Sequence, residues 1–548
     1  MKRIIFFYPT EEVNGVANQF IWLAKYLQKK GYDVSLIDSK EGYIKNELIA
    51  SNIEVIEYSY PNKIYLHEEC ILVAPASHIH RVPLEFEIPE EKKVKLIFWS
   101  LHPHNLVWEY GIWGFIKSFK PFEMKEILTK IFPETFENYT QLINTLYHHN
   151  SLYFMDQSNF DFPKQVYNIC LECEKYIPIA VKNSSYKAKA LKIVEIKNYA
   201  WVGRLSDDKV YSLIKVLNDV DQYAKEKNKE INFYIIGSGS YEFLLKKELE
   251  SKKWNINIVN LGTLKNNDLS QFLFEKIDLL FAMGTSCLEA AKLGIPTVLV
   301  NASNSRVELM EYKWLYETKN YSLGSFVELQ NNVKYSSIDE LKLEKIKIHS
   351  EKCFEYVNKY HTIGQVATMF EEIFDKELFT LSDLRVFIEH SPLNFNNFAS
   401  NLIVRGYYMN DANNLYLSNI LKDIEKEFLE KKLKKLLIWG VGSHSKALLK
   451  FYDFANMELK GFTDSSDSIG EFLNYPKYSV DDIGDLDIDV ILISSLTYEK
   501  KIYDKFYKKM LSRGIIMYPI YKANEGIVAT AIWNQVSSEI YLCDEEGR

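Results

Sequence analysis

Cysteine is scarce in this chain: six in 548 residues, at positions 70, 170, 173, 287, 353 and 543. That density is far below a disulfide scaffold and points to a reducing compartment. Cys170-Leu-Glu-Cys173 is a lone CxxC. A structural zinc site needs a second ligand pair, and none follows at zinc-site spacing, so no metal is expected. Glycine (22) and proline (14) are also few, which excludes collagen-like and Gly/Pro-rich low-complexity chains. An uninterrupted run of about 18 apolar residues is missing, so no membrane span is expected. Lys2-Arg3 precede the apolar run Ile4–Tyr8, which is too short for the h-region of a signal peptide. The expected location is the cytoplasm, and peripheral contact with the inner face of the plasma membrane is compatible with it. Positive charge is in deficit: 66 Lys and Arg against 74 Asp and Glu give a net charge of −8. Nucleic-acid binding needs a basic surface, so no nucleic-acid partner is expected. A local basic pocket for a phosphorylated small molecule stays allowed. No repeat of about 20–50 residues is evident, which excludes a solenoid.

What is present is a set of strand–loop–helix units. At roughly 150 residues per domain the length implies three or four domains, and 47% hydrophobic with 26% charged residues is ordinary for a globular chain. Ile4–Tyr8 reads as a strand, residues 9–15 as a loop ending in Asn14-Gly15, and Val16, Phe20, Leu23 and Leu27 as one helix face. Asp33–Ile37 is the next strand, which completes a βαβ unit. Ile53–Ile56, Cys70–Val73 and Val94–Phe98 are further strands. Residues 105–150 read as helical, and 151–195, without strong periodicity, as a bridge between domains. A second series begins near 198, with strands at Tyr199–Val202, Phe233–Ile236, Ile256–Leu261, Ile277–Ala282 and Thr297–Val300. Residues 377–432 read as a helical connector. A third series starts at Leu436–Trp439.

The strongest constellation lies between 201 and 297. It comprises Val202-Gly203-Arg204-Leu205 with Lys209, then Gly237-Ser238-Gly239, then Leu261-Gly262-Thr263-Leu264, then Gly284-Thr285-Ser286-Cys287-Leu288-Glu289-Ala290-Ala291 with Gly294-Ile295-Pro296. Glycines let backbone approach a phosphate closely, and Thr285 and Ser286 open a helix whose free N–H groups attract an anion. Arg204 and Lys209 would add charge-assisted contacts. Each piece also has a plain structural reading: Ser286-x-x-Glu289 is a capping box, Gly294 with Pro296 a helix stop, and Arg204 a surface ion pair.

In order and spacing these segments resemble the donor half of the retaining GT-B enzymes called glycosyltransferase group 1 or family 4, over about residues 198–376. The resemblance implies an α/β chain of GT-B type, with two Rossmann-like domains facing a cleft, and the third βαβ series adds a third, C-terminal Rossmann-like domain. The domains are 1–195 on the acceptor side, 196–376 on the donor side, a connector 377–432, a module 433–525 and a tail 526–548. It further implies a nucleotide-sugar donor (UDP-, GDP- or another) held by Gly203, Arg204, Lys209, Gly237, Ser238, Gly262, Leu264, Gly284, Thr285 and Ser286. Glu289 would accept the ribose hydroxyls. The acceptor would be a glycan, a lipid-linked sugar or a protein, in bacterial surface-glycan biosynthesis, with no required cofactor or metal. Many relatives carry a glutamate eight positions before the ribose glutamate; this chain has Phe281 there. A sugar-nucleotide 2-epimerase and a catalytically silent nucleotide-sugar-binding scaffold remain competing classes.

In the first domain Asn14 and Gly15 fall where the family places a loop facing the donor, and equally form a simple βα turn. Trp99-Ser100-Leu101-His102-Pro103-His104 follows a strand, and His102 or His104 would contact the donor sugar or deprotonate an acceptor hydroxyl. Trp108, Trp113, Phe115, Phe119 and Phe122 cluster near Lys117 and Lys120, as core or as a sugar or lipid contact. The third series carries Gly440-Val441-Gly442-Ser443-His444-Ser445, with Asp464 at the next strand end. This resembles the small modules of sugar O-acyltransferases and sugar methyltransferases, and Gly440, Gly442, His444 and Asp464 would hold a nucleotide-containing ligand or serve structure alone. Asp487-Ile488-Asp489 is a D-x-D in the wrong domain for a metal. A homo-oligomer is compatible with the sequence.

Overall fold

The computed structural model describes residues 2–11, 14–58, 62–89, 91–107, 110, 120–169, 175–182, 196–264, 266–330, 335–393, 411–465, 469–495 and 499–520. Three six-stranded sheets organise them. The first contains β1 (Arg3–Phe7), β2 (Asp33–Ser39), β3 (Glu54–Tyr58), β5 (Cys70–Pro75), β7 (Val94–Ser100) and β8 (Leu152–Phe154), while β4 (Ile64–Tyr65) and β6 (Phe86–Glu87) pair separately. Its order is β3-β2-β1-β5-β7-β8, all parallel. Parallel strands covered on both faces are apolar throughout, and every residue of β5 is buried. The helix Gly15–Lys29 turns Ala17, Phe20, Leu23, Ala24 and Leu27 inward, and the Asn14 side chain caps it by accepting from Ala17 N at 3.0 Å.

The second sheet holds β9 (Asn198–Val202), β10 (Asn232–Ile236), β11 (Asn257–Gly262), β12 (Leu279–Ala282), β13 (Thr297–Leu299) and β14 (Lys313–Trp314), ordered β11-β10-β9-β12-β13-β14 with only β14 antiparallel. The third holds β15 (Lys435–Trp439), β16 (Glu458–Thr463), β17 (Gly470–Phe472), β18 (Tyr475–Tyr478), β19 (Val490–Ile493) and β20 (Ile516–Pro519), ordered β17-β18-β16-β15-β19-β20. Each order doubles back at an inner strand, so each sheet has a switch point: β1/β5, β9/β12 and β15/β19. Crevices at the carboxyl ends of such strands are where open α/β sheets take ligands. Two Rossmann-like sheets followed by a separate α/β unit make a GT-B-like fold with an extra domain.

Two chain crossings join the first two sheets, side by side. Ala180 is clamped by Gln19, which donates to its carbonyl and accepts from its amide at 2.7 Å each. The returning strand-like residue Thr362 bridges Val181, and Val181 N donates to His361 O at 2.8 Å. The helix Ile363–Phe374 then lies on the Gly15 helix, with Phe370 5.3 Å from Trp99 and Phe374 5.9 Å from Tyr32. Beyond it, Leu96 N donates to Phe379 O at 2.8 Å, and Leu381 and Leu384 join the first domain's core.

Two segments differ from their sequence reading. Residues 152–154 are the sixth strand of the first sheet, and Gln157–Tyr167 is a helix of that domain with Pro163 inside it. The connector divides: Leu381–His390 packs on the first domain, while Leu421, Ile424 and Phe428 of the helix Asp411–Glu430 enter the third domain's core. The third sheet is covered on both faces by its own clusters, one around Leu436, Ile438 and Phe462, the other around Leu437, Trp439 and Ile491. Cys170, Cys173, Cys543, Trp108, Trp113, Phe115, Lys117 and Phe119 lie outside the described residues; Phe122 is exposed. No helix among the described residues is long and apolar enough to cross a membrane.

Candidate functional site

At the carboxyl ends of β9, β10 and β11, three glycine loops meet. Gly203 N donates to Ile236 O at 3.1 Å, Leu205 N to Ser238 O at 3.1 Å, and Gly237 N to Gly262 O at 2.8 Å. Gly237 has φ +145°, and a Cβ there would stand 1.9 Å from Gly203 O; one on Gly239 would stand 2.4 Å from Leu205 O. These two glycines therefore let loop pack on loop, a use of close approach the motif reading did not foresee. Ser238 shares a hydrogen bond with Thr263 at 2.6 Å, Gly262 has open space before it, and Leu264 packs on the core.

Gly284 is different. Its φ of +64° and ψ of −145° suit glycine alone, and a Cβ there would meet nothing within 4 Å. It caps the helix Thr285–Lys292 without any side-chain cap bond. The first amides of that helix, at Thr285 and Ser286, have no helical acceptor. The capping box read from Ser286-x-x-Glu289 is not formed, because the cap lies at Gly284 and Glu289 falls in the second turn. Glu289 keeps solvent access, and partial desolvation by the surrounding loops raises its carboxyl above the usual range.

Lys209 is electrostatically coupled to Cys287 of that helix and to Arg204. Arg204 is exposed and Lys209, at the cap of the helix Val210–Lys227, is half-buried. Burial lowers the Lys209 ammonium's pKa; Asp208 opposes that shift and Arg204 adds to it. Among the described residues neither cation makes a salt bridge, so the surface-ion-pair reading of Arg204 is not realised there. Two neighbouring cations, one partly desolvated, are what an incoming diphosphate would relieve.

The first domain contributes His102, just past β7. Its Nδ1 accepts from His104 N at 3.2 Å. A backbone N–H can only donate, so Nδ1 is unprotonated and the neutral ring carries its proton on Nε2. Burial holds His102 at about 4, with Asp208 raising and Lys209 lowering it, which places the ring across from the donor-side cations. Phe326 of the second domain is 6.4 Å away. His104 is 1% exposed, its ring 4.4 Å from Phe162 and 5.5 Å from Phe326, and burial holds it well below its usual pKa. It walls the site and is not presented to a ligand. Asn14 spends its side chain on the helix cap, and Gly15 is exposed with open space around it.

Phe281 lies inside β12, fully buried between Phe233, Tyr199 and Tyr312. Position 281, inside a strand that ends at Ala282, is thus part of the core. Two acids escaped the motif search. Asp38 ends β2 and is wholly buried, accepting from Thr10 N at 2.8 Å and Lys45 N at 3.0 Å, which orders the loop before Asn14; burial still raises its pKa. Asp156 caps the helix Gln157–Tyr167. Asp156 followed by a helical run is a legible cap signal, but its partner in the other domain is not.

Residues 185–328 match the family model described as glycosyl transferases group 1. Residues 432–517 match another, described as C2185-like, N-terminal. No curated protein matches the chain. Among solved structures it is similar to a glycosyltransferase from Rickettsia africae, at 14% identity over 68% of this chain and 99% of that one, TM-score 0.41. It is similar also to Anabaena Alr3699/HepE in complex with UDP-glucose, at 12% identity, 68% and 99% coverage and TM-score 0.39. The group 1 match spans the Gly203, Gly237, Gly262 and Gly284 loops and ends just past Phe326.

In the third domain, Gly440 (φ +135°) approaches Ser494 O so closely that a Cβ would stand 2.6 Å away. Ser494 also meets His444 Nδ1 at 2.7 Å and Ser445 Oγ at 2.8 Å. Burial lowers His444 to about 4. Asp464 pairs with Lys477 at 3.1 Å, so the acid proposed for a ribose is engaged within the fold, while Gly442 faces open space. Asp489 accepts from Lys434 N and Lys435 N at 2.7 and 2.8 Å, and Asp487 pairs with Lys435; the D-x-D closes a strand entrance. Among the described residues no cluster of His, Cys, Asp or Glu could hold a metal ion.

Proposed function

We propose that the chain is a glycosyltransferase that moves a sugar, with retention and without a metal, from a nucleotide-sugar donor to a glycan, lipid-linked or protein acceptor. The observation that carries this reading is the glycine-capped helix start Gly284–Ser286 just past β12, with Lys209 electrostatically coupled to Cys287 of that helix and to Arg204. The group 1 match over the same residues supports it. In this reading the donor diphosphate sits on the Thr285 and Ser286 amides, and Glu289 accepts the ribose hydroxyls. As the bond from the anomeric carbon to the β-phosphate oxygen breaks, negative charge collects on that phosphate. Arg204, Lys209 and the helix amides, already oriented, stabilise it. The acceptor oxygen bonds the anomeric carbon, and the products are the glycoside, the nucleoside diphosphate and one proton. His102, neutral with its proton on Nε2, donates to a hydroxyl of the transferred sugar; it is not the base, because its unprotonated Nδ1 already accepts from His104 N.

The test is incubation of the full chain with UDP- and GDP-sugars, with and without EDTA and candidate acceptors, followed by NMR at the anomeric proton. Release of nucleoside diphosphate with transfer that survives EDTA is expected. A change at C2 of the donor without acceptor would make the chain an epimerase, and nucleotide binding without any turnover a scaffold.

A further inference from the structure

The loop Asn320–Phe326 of the second domain is tied at both ends of one residue. Leu323 O accepts from Gly284 N at 2.8 Å, the cap of the helix Thr285–Lys292. The Leu323 amide lies beside the carboxylate of Asp156 in the first domain and favours its charged form. The same docking is repeated alongside: Gln157 N donates to Asn320 O at 3.0 Å, Asn320 Nδ2 to Gln157 Oε1 at 3.2 Å, and the Ser158 and Ser322 hydroxyls meet. Asn320 and Tyr321 have φ of +46° and +63°, a left-handed pair that side-chain-bearing residues adopt only when surroundings hold them. Here the Tyr321 ring is held 5.6 Å from Tyr360 and 6.0 Å from His361. Gly324 (φ +106°) lets the loop turn against Val300 O, where a Cβ would stand at 2.7 Å. The loop continues into Phe326, which packs on His104.

We propose that Asp156 is a positioning residue of the donor site: docking of the Gln157 helix on Leu323 fixes Gly284, and so sets the helix start that receives the donor diphosphate. The carboxylate is 1% exposed. It accepts also from Asn159 N at 2.7 Å and Asn159 Nδ2 at 2.8 Å, so it is held on its own side before it reaches across. The Gln157 and Ser158 bonds to Asn320 and Ser322, the Asp156 carboxylate beside Leu323 N, and the Leu323 O bond to Gly284 N link domain docking to the helix start. By reciprocity, if docking tightens nucleotide binding by some factor, bound nucleotide tightens docking by that same factor. The inference rests on the proposed use of Gly284–Ser286.

The cap role and the positioning role separate by choice of variant. Asp156→Ala removes both. Gln157→Pro removes two of the bonds to Asn320, yet proline at the first helical position leaves the helix intact. Asn159→Ala loosens the cap and leaves the Leu323 and Asn320 contacts. The readouts are calorimetric titration of UDP and GDP into the full chain, and its thermal unfolding without nucleotide. Asp156→Ala and Gln157→Pro are expected to weaken binding by about five- to tenfold, and Asn159→Ala by less than about twofold even where it lowers the melting temperature. Wild-type affinity in both Asp156→Ala and Gln157→Pro overturns the coupling. Equal weakening by Asn159→Ala assigns the effect to the cap and overturns it as well. A wild-type chain that binds neither nucleotide overturns the donor reading itself.

Discussion

Glu289 stands in the second helical turn with no side-chain hydrogen bond seen among the described residues, so changing it should cost the fold little. Glu289→Gln should leave thermal unfolding unchanged and weaken nucleoside diphosphate binding by roughly 1–3 kcal/mol, the scale of a hydrogen bond to a charged group. Unchanged affinity would remove it from the site. His102 allows a sharper cut. In His102→Asn the amide oxygen can still accept from His104 N, but the Nε2 donor is lost. Steady-state kinetics should then show kcat down by about 10–100-fold, again from roughly 1–3 kcal/mol, with donor KM little changed; a normal kcat would assign His102 to loop structure alone. At this scale the sequence was a good guide where residue type decides the matter. It placed Gly284, Thr285, Ser286 and Glu289 on one helix start, and Lys209 is electrostatically coupled to Arg204 and to Cys287 of that helix. It could not tell His102 from His104, because two histidines two residues apart differ only in what packs on them: Phe162 and Phe326 enclose one and leave the other half-open.

At the scale of elements, the glycine loops and the hinge make separate predictions. Gly237→Ala forces a Cβ to 1.9 Å from Gly203 O, so two loops must part. Gly284→Ala meets no atom and suffers only backbone strain, on the order of 1–3 kcal/mol. Denaturant unfolding should therefore show a larger loss for Gly237→Ala; the reverse ranking would contradict the loop packing described. The hinge should be acid-sensitive. His361 is fully buried, bonds Ile179 O through Nδ1 at 2.8 Å, and is held at about 4 by burial. A depressed histidine pKa means the unfolded chain binds the proton more tightly, so stability is intact above about pH 6.5 and falls as pH drops toward 4, by up to about 1.4 kcal/mol per pH unit. Asp156, raised to about 6 by burial, works in the opposite sense as it takes up a proton, so the net slope is smaller. Melting temperature measured from pH 7 to 5 should fall, and less in a His361→Gln chain; no difference between the two would clear His361. Most elements were legible because continuous apolar runs mark the buried parallel strands and period-3.6 apolar patterns survive in the long helices. Residues 151–167 were not, since a three-residue strand is too short to show a period and Pro163 reads as a break.

For the whole molecule, the third domain has core on both sheet faces and includes the helix Asp411–Glu430, so a stand-alone unit should start near residue 411 and not at 433. A chain ending at 393 should keep both crossings between the first two sheets, and is expected to retain nucleotide binding; loss of binding in a folded truncation would make the third domain part of the donor site. The two-sheet plan and the switch points followed from the order of βαβ units. The docking of the Gln157 helix on Asn320–Leu323 did not, because it pairs backbone groups about 160 residues apart that no side-chain pattern records. The central claim is that Arg204, Lys209 and the open start at Gly284 form an anion site for a nucleoside diphosphate. Its most direct measurement is calorimetric titration of UDP and GDP, in EDTA, into the full chain and into an Arg204→Ala/Lys209→Ala double variant. The account predicts saturable one-site binding by the wild type and at least about tenfold weaker binding by the double variant at unchanged melting temperature. Equal affinity in the two chains, or no binding of either nucleotide by the wild type, would contradict it.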